Sequence, residues 1–179
     1  MKTIAYLLSI LLSALLLSCD NNPSLQEYYV DNSENSDFIS IDVPASVLNF
    51  SEADLSPEQR EAYESVKKLN ILAFKLKEDN KIAYEAEKVK VKEILDNPKY
   101  QELMTFNMKQ RRGTIKYLGT DEAIDEVIIF GSDNSKGFAL VRVLGNNMRP
   151  ENMMKLMDAV KKADLNGEEF GKLKGFLKN

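Results

Sequence analysis

Between Gly113 and Leu144 the chain leaves little choice of topology. Gly113–Gly119 and Ile124–Gly131 read as strands, and Asp133 to Gly137 (DNSKG) reads as a hairpin turn. Phe138–Leu144 then returns as the partner strand. Links this short join antiparallel neighbours, because a parallel pair needs a crossover of roughly a dozen residues. A meander of this kind must bury its apolar face under helices.

The rest of the chain supplies further strands and the helices. Phe38–Val43 places Ile39, Ile41 and Val43 on one face with a period of two, and Pro44 ends that strand or keeps it at a sheet edge. Ser56-Pro57-Glu58-Gln59 is a helix start, with Ser56 as N-cap, Pro57 in the first turn and Gln59 closing a capping box; the helix is predicted to run to Lys67. Leu69–Leu76 suits a strand buried on both faces. Lys81–Leu95 is the longest predicted helix, with Ala83, Tyr84, Val91, Ile94 and Leu95 in one stripe. Asn97-Pro98 predicts a second short helix through Met104, and Pro150 opens another through Ala163. A final amphipathic segment holds Leu165, Phe170, Leu173 and Leu177. The expected fold is α+β, a two-layer sandwich of a mainly antiparallel sheet with helices on one face; ferredoxin-like pairing is one arrangement that satisfies it.

With 179 residues the chain is expected to form one domain. It has 24 Lys+Arg against 28 Asp+Glu, so no nucleic-acid partner is expected. The absence of histidine and the single cysteine exclude a Ser-His-Asp triad, a Cys-His pair, a zinc finger and an internal disulfide. That cysteine, Cys19, follows a secretory-type start: Lys2, then an apolar run from Ile4 to Leu17, too short to span a bilayer comfortably. Leu16-Leu17-Ser18-Cys19 resembles a bacterial lipobox, in which the thiol is diacylated and cleavage precedes it. The expected organisation is a lipoprotein signal peptide at 1–18, the lipidated Cys19 with a polar tether at 19–37, and one α+β domain at 38–179. Within the tether Leu25, Tyr28 and Tyr29 are expected to dock a turn onto the body.

Several segments together resemble a known family: the lipobox, Phe38–Ser46 (FISIDVPAS), Lys68–Lys75 (KLNILAFK), Lys99–Met104 (KYQELM), Ile124–Phe130 (IDEVIIF) and Phe138–Gly145 (FALVRVLG). They are similar to the domain of unknown function 4252 family of Bacteroidota envelope lipoproteins. The resemblance implies a lipid-anchored cell-envelope protein, on the outer membrane and facing the periplasm or the surface. It brings no catalytic residues and no cofactor.

Other candidate chemistry is sparse. Tyr63/Lys67 and Tyr84/Lys88 spell Y-x-x-x-K, but neither follows the glycine-rich strand–helix unit that a dinucleotide requires. Asp121, Glu122, Asp125 and Glu126 form the densest acidic cluster, and Asp164-Leu165-Asn166 begins like a calcium loop but has Glu169 in place of the bend glycine; both read as solvated turns, with no metal site. Glu87 is expected at the edge of its helix stripe, pairing with Lys90. Lys109, Arg111 and Arg112, followed by Lys116, make a basic loop able to meet a phosphate or a lipid headgroup. Met148, Met153, Met154 and Met157 cluster around the helix at Pro150; Met153 and Met157 are expected in the core, and Met148 and Met154 are the candidate docking residues for a protein partner. The expected function is a non-enzymatic, partner-binding or accessory module held to the membrane through Cys19. A small-ligand carrier or a carboxylate-based hydrolase is the alternative.

Overall fold

Six extended segments build one sheet. In a computed structural model, which describes residues 23–47, 55–152 and 155, the strands are β1 (Phe38–Pro44), β2 (Val66–Lys75), β3 (Gln101–Met108), β4 (Arg111–Gly119), β5 (Ile124–Asp133) and β6 (Gly137–Met148). The helices are α1 (Leu25–Asn32), α2 (Pro57–Ser65) and α3 (Lys81–Leu95). The strand order is β1-β2-β6-β5-β4-β3, and every neighbouring pair is antiparallel. The molecule is the α+β sandwich expected from the sequence. Its pairing is not ferredoxin-like, because β2 and β3, the parallel strands joined by α3, have three strands between them instead of one. Instead α3 links β2 to the far edge at β3, and the meander β3-β4-β5-β6 returns to pair with β2.

The two faces of the sheet carry separate cores. Leu72, Phe74, Ile128, Phe130, Phe138 and Leu140 point to one face and pack under α1 and α3 through Leu25, Tyr28, Tyr84, Val91, Ile94 and Leu95. The opposite face carries Ile41, Val43, Ile71, Ile115 and Val127. There Ala62 and Tyr63 of α2 are packed, so helices cover both faces rather than one. The cause is compositional: strands as apolar as β2 and β5 expose hydrophobic side chains on both sides, and each side must leave water.

Local signals set several boundaries. Ser56 accepts from the Gln59 amide while the Gln59 side chain accepts from the Ser56 amide, the predicted capping box. α3 has the predicted bounds, and β1 is an edge strand ending at Pro44. The predicted helix through Met104 is instead the turn at 97–100 and strand β3. Local helix propensity over Gln101–Met104 is overridden by pairing with β4, which supplies the backbone partners.

The segment before β1 also differs from a polar tether. Ser24 and Glu27 form a second capping box, and Leu25, Tyr28 and Tyr29 are buried. The docking extends over the whole of α1, and the packed body starts at Leu25 instead of Phe38. The signal peptide and Cys19 lie outside the described residues, as do Met153, Met154, Met157, the loop at 164–169 and the final amphipathic segment.

The β5–β6 turn tests two physical points. Gly137 has φ of +128°, and a Cβ there would sit 1.9 Å from the Phe74 carbonyl oxygen. Gly137→Ala should therefore cost about 2–4 kcal/mol in urea unfolding; an unchanged midpoint would contradict the close approach. In the same turn Asp133 accepts from the Ser135 hydroxyl at 2.6 Å and amide at 2.8 Å, and from Arg111 Nε at 3.1 Å. These bonds, the Ser135 hydroxyl first, hold its carboxyl at about 2, below the ordinary 3.8. The stabilisation is present above the ordinary value and is lost as pH falls toward 2. Asp133→Asn should flatten the acid limb of a stability–pH curve, and an identical limb would refute this role.

Candidate functional site

Helical spacing on α3 and alternation on β4 converge on one cleft. Lys88 and Lys92 are one turn apart on α3, and Arg112, Thr114 and Lys116 share one face of β4. Together with Thr105, Phe106 and Asn107 of β3 they line an open cleft of about 390 Å³. Its floor contains Phe130 and Leu95, and its acids are Asp96 and Glu102. The Lys116 ammonium donates to the Leu95 carbonyl at 2.5 Å, tying the end of α3 to β4. Lys88 is bonded to Glu85 at 2.8 Å and lies 4.6 Å from the Tyr84 ring centre. The Phe106 ring folds back over Gly113, where a Cβ would come within 2.2 Å of it.

The predicted basic loop is thus divided. Arg112 and Lys116 enter the cleft, Arg111 is bound to Asp133 on the hairpin, and Lys109 occupies the β3–β4 turn with φ of 40°. The cleft presents hydrogen-bond donors and net positive charge, a chemistry suited to an anion rather than to acid–base work.

A second polar constellation lies beneath α1. Arg142 on β6 grips Glu126 on β5 with two bonds, Nε to Oε1 at 2.6 Å and Nη2 to Oε2 at 2.9 Å. Its remaining Nη1 donates to Gln26 at 2.9 Å, and the guanidinium lies 5.2 Å from the Tyr29 ring centre. Both side chains are buried, with exposures of 6% and 8%. Burial alone would lower the Arg142 pKa, but the bonds to Glu126 outweigh it and raise the value further. The Tyr29 hydroxyl is 2.6 Å from the Leu140 carbonyl and 3.1 Å from that of Asn70, and its burial pushes its pKa well up. Asp42, Lys68 and Asn70 complete the rim of a shallow depression of about 300 Å³. Burial works to raise the Asp42 pKa, yet its bonds to Lys68 and Asn70 hold it below the usual carboxylate range.

The predicted acidic cluster is therefore not a unit. Glu126 turns inward to Arg142, while Asp121 accepts from the Tyr117 hydroxyl at the other side of the sheet. Among the described residues no group of carboxylates is placed to hold a metal. Glu87 binds Lys90 at 2.6 Å, as expected, and also accepts from the Tyr28 hydroxyl at 2.9 Å. Met148 is fully buried, with its sulfur packed over Gly145. It is a core residue, so its place as a docking residue is corrected: β6 runs longer than predicted and carries Met148 back into pairing with Ile124. Among the described residues the exposed methionines are Met104 and Met108 on β3, the first of which the expected helix had concealed.

A family model for the domain of unknown function DUF4252 matches residues 28–156, and the chain belongs to that family. No curated protein and no solved structure matches it.

The buried pair makes a stability prediction. Glu126→Gln leaves an uncompensated guanidinium and should cost about 3–5 kcal/mol, whereas the double change Glu126→Leu with Arg142→Met should recover most of that loss. Chemical denaturation of the three variants checks this; a double variant less stable than Glu126→Gln would show that the pair's contribution is more than mutual neutralisation.

Proposed function

We propose that the chain is a lipid-anchored envelope protein whose folded domain binds a protein partner rather than catalysing a reaction. The observation that carries the reading is strand β3. It is an edge strand of eight residues, Gln101–Met108, with most of its side chains exposed. An uncovered edge offers a row of backbone donors and acceptors to an added strand. Met104 and Met108 flank the Phe106 ring on that edge and are 39% and 60% exposed. Flexible thioethers beside an aromatic ring suit an adaptable contact with an extended segment of another chain. The opposite edge is less hospitable, since β1 ends in Pro44 and carries the charged Asp42.

The anchor rests on the lipobox at Leu16–Cys19. No helix among the described residues is long and apolar enough to cross a membrane. Acyl chains on Cys19 would supply attachment, and two or more hold a protein where one is marginal.

Two measurements test the reading. Cys19→Ala should move the protein out of the membrane fraction or leave it uncleaved; a processed variant that stays bound at high salt would refute the anchor. A photo-crosslinker at position 107 in the native envelope should trap one discrete partner, and Met104→Lys with Met108→Lys in the same chain should abolish the adduct. These exposed changes should alter stability by no more than about 0.5 kcal/mol. An undiminished adduct in the double variant would exclude β3 as the docking edge.

A further inference from the structure

We infer that the cleft between α3 and β4 seats the phosphate of an anionic lipid headgroup, an inference that rests on the acylation of Cys19. Four cations, Lys88, Lys92, Arg112 and Lys116, line the cleft against two carboxylates, Asp96 and Glu102. This local excess stands out in a chain of net charge -4. Lys92 and Arg112 make no side-chain ion pair among the described residues, so their donors are available to a ligand. A guanidinium offers two parallel donors to a phosphate, and lysine adds a mobile point charge beside it.

The chain's own attachment supplies the choice of source. Pro23 and the last turns of α3, at Ile94 and Asn97, border one small cavity of about 80 Å³. Only Asp20, Asn21 and Asn22 separate Pro23 from Cys19, a reach of about 14 Å from Cys19 to Pro23 when fully extended. The C-terminal end of α3 is thereby held close to the headgroups. Lys92 and Leu95, on the same turns, line the cleft on the other side of a helix only about 10 Å across. Attraction to an anionic surface falls off within a Debye length, about 8 Å at physiological salt, so a short tether is what makes the contact effective.

The test uses the full mature protein purified from its own membrane, with the mass of its N-terminal peptide reporting acylation of Cys19. It is reconstituted into vesicles of phosphatidylcholine alone or with about one-third phosphatidylglycerol, and amide hydrogen exchange is followed over 88–96 and 105–116. The anionic vesicles should slow exchange in both segments by about fivefold or more, the scale of one or more surface charge contacts. Lys92→Glu with Arg112→Glu should remove the difference, as should 0.5 M salt. Lys92→Gln with Arg112→Gln should weaken it at an unchanged thermal midpoint, separating charge from folding. Equal exchange in the two vesicle types overturns the inference. So does protection by millimolar inorganic phosphate in neutral vesicles without further gain from anionic lipid, which would make a soluble phosphate the ligand. An unacylated Cys19 peptide overturns the anchor reading itself, independently of the exchange result.

Discussion

Phe138 is where the sheet and its helical cover become one object. Its ring stacks on Phe74 of β2 at 5.5 Å and 20°. It also meets Phe38 of β1 at 6.0 Å, Phe130 of β5 at 5.7 Å and Tyr84 of α3 at 6.0 Å. One residue at the start of β6 thus joins elements from Phe38 to Phe138 in sequence. This junction is needed because the topology is non-local: β6 must leave its hairpin with β5 and pair with β2, formed far earlier in the chain. Backbone hydrogen bonds along an extended strand are nearly indifferent to register, so the aromatic packing selects Phe74↔Phe138 as partners. Gly137 precedes it and lets the backbone come close to Phe74, so turn chemistry and core packing specify the same register.

The polar end of the same face follows a different rule. Moving along β6 from Phe138 through Leu140 to Arg142, the inward positions change from ring to aliphatic to guanidinium. Arg142 is tolerated there because Glu126, Gln26 and the Tyr29 ring meet it on three sides. A buried pair of this kind is weak evidence of stability, since isosteric apolar residues often serve as well. Its effect is to define how α1 sits: Gln26 and Tyr29 have partners only when the helix lies over β6 and β2 in one position. Polar satisfaction orients what hydrophobic contact alone would leave free to slide.

Legibility in the sequence followed the range of each interaction. α2 and α3 were readable because their capping and periodicity lie within a few residues, and the turn at Asp133–Gly137 announced β5 and β6. β3 was misread because Asn97-Pro98 followed by Gln-Glu-Leu-Met is locally a good helix; only β4, ten or more residues on, makes it a strand. The Arg142–Glu126 pair was also missed, although a signal existed. Strand alternation puts Glu126 in phase with Ile128 and Phe130, both buried, and the hairpin register places Ile128 opposite Arg142. Glu126 is therefore the diagonal neighbour of Arg142 on the inner face, and its position in an acidic run concealed that it points inward. The cleft was half legible. Arg112 and Lys116 were visible as charges, but their convergence with Lys88 and Lys92 depends on where α3 crosses the sheet.

The start of α1 also bears on the anchor proposed above. A polar stretch beginning after Cys19 would ordinarily let a domain tumble freely above a bilayer, with an excursion growing as the square root of its length. Here the Ser24 capping box starts a helix at once, and Leu25, Tyr28 and Tyr29 commit it to the core. The Tyr28 hydroxyl bound to Glu87 fixes α1 against the middle of α3, while Pro23 borders a small cavity at its end. On the proposed anchor, only Asp20–Asn22 would lie between Cys19 and Pro23, which would limit rotation about it. A domain held by the proposed anchor would present a restricted set of faces to the membrane. On the proposed anchor the end of α3 would lie near Cys19, and β3, joined to it by the turn at 97–100, would share that zone. On that reading, a strand added to that edge would form close to the bilayer surface, where a membrane-bound partner would meet it at high effective concentration.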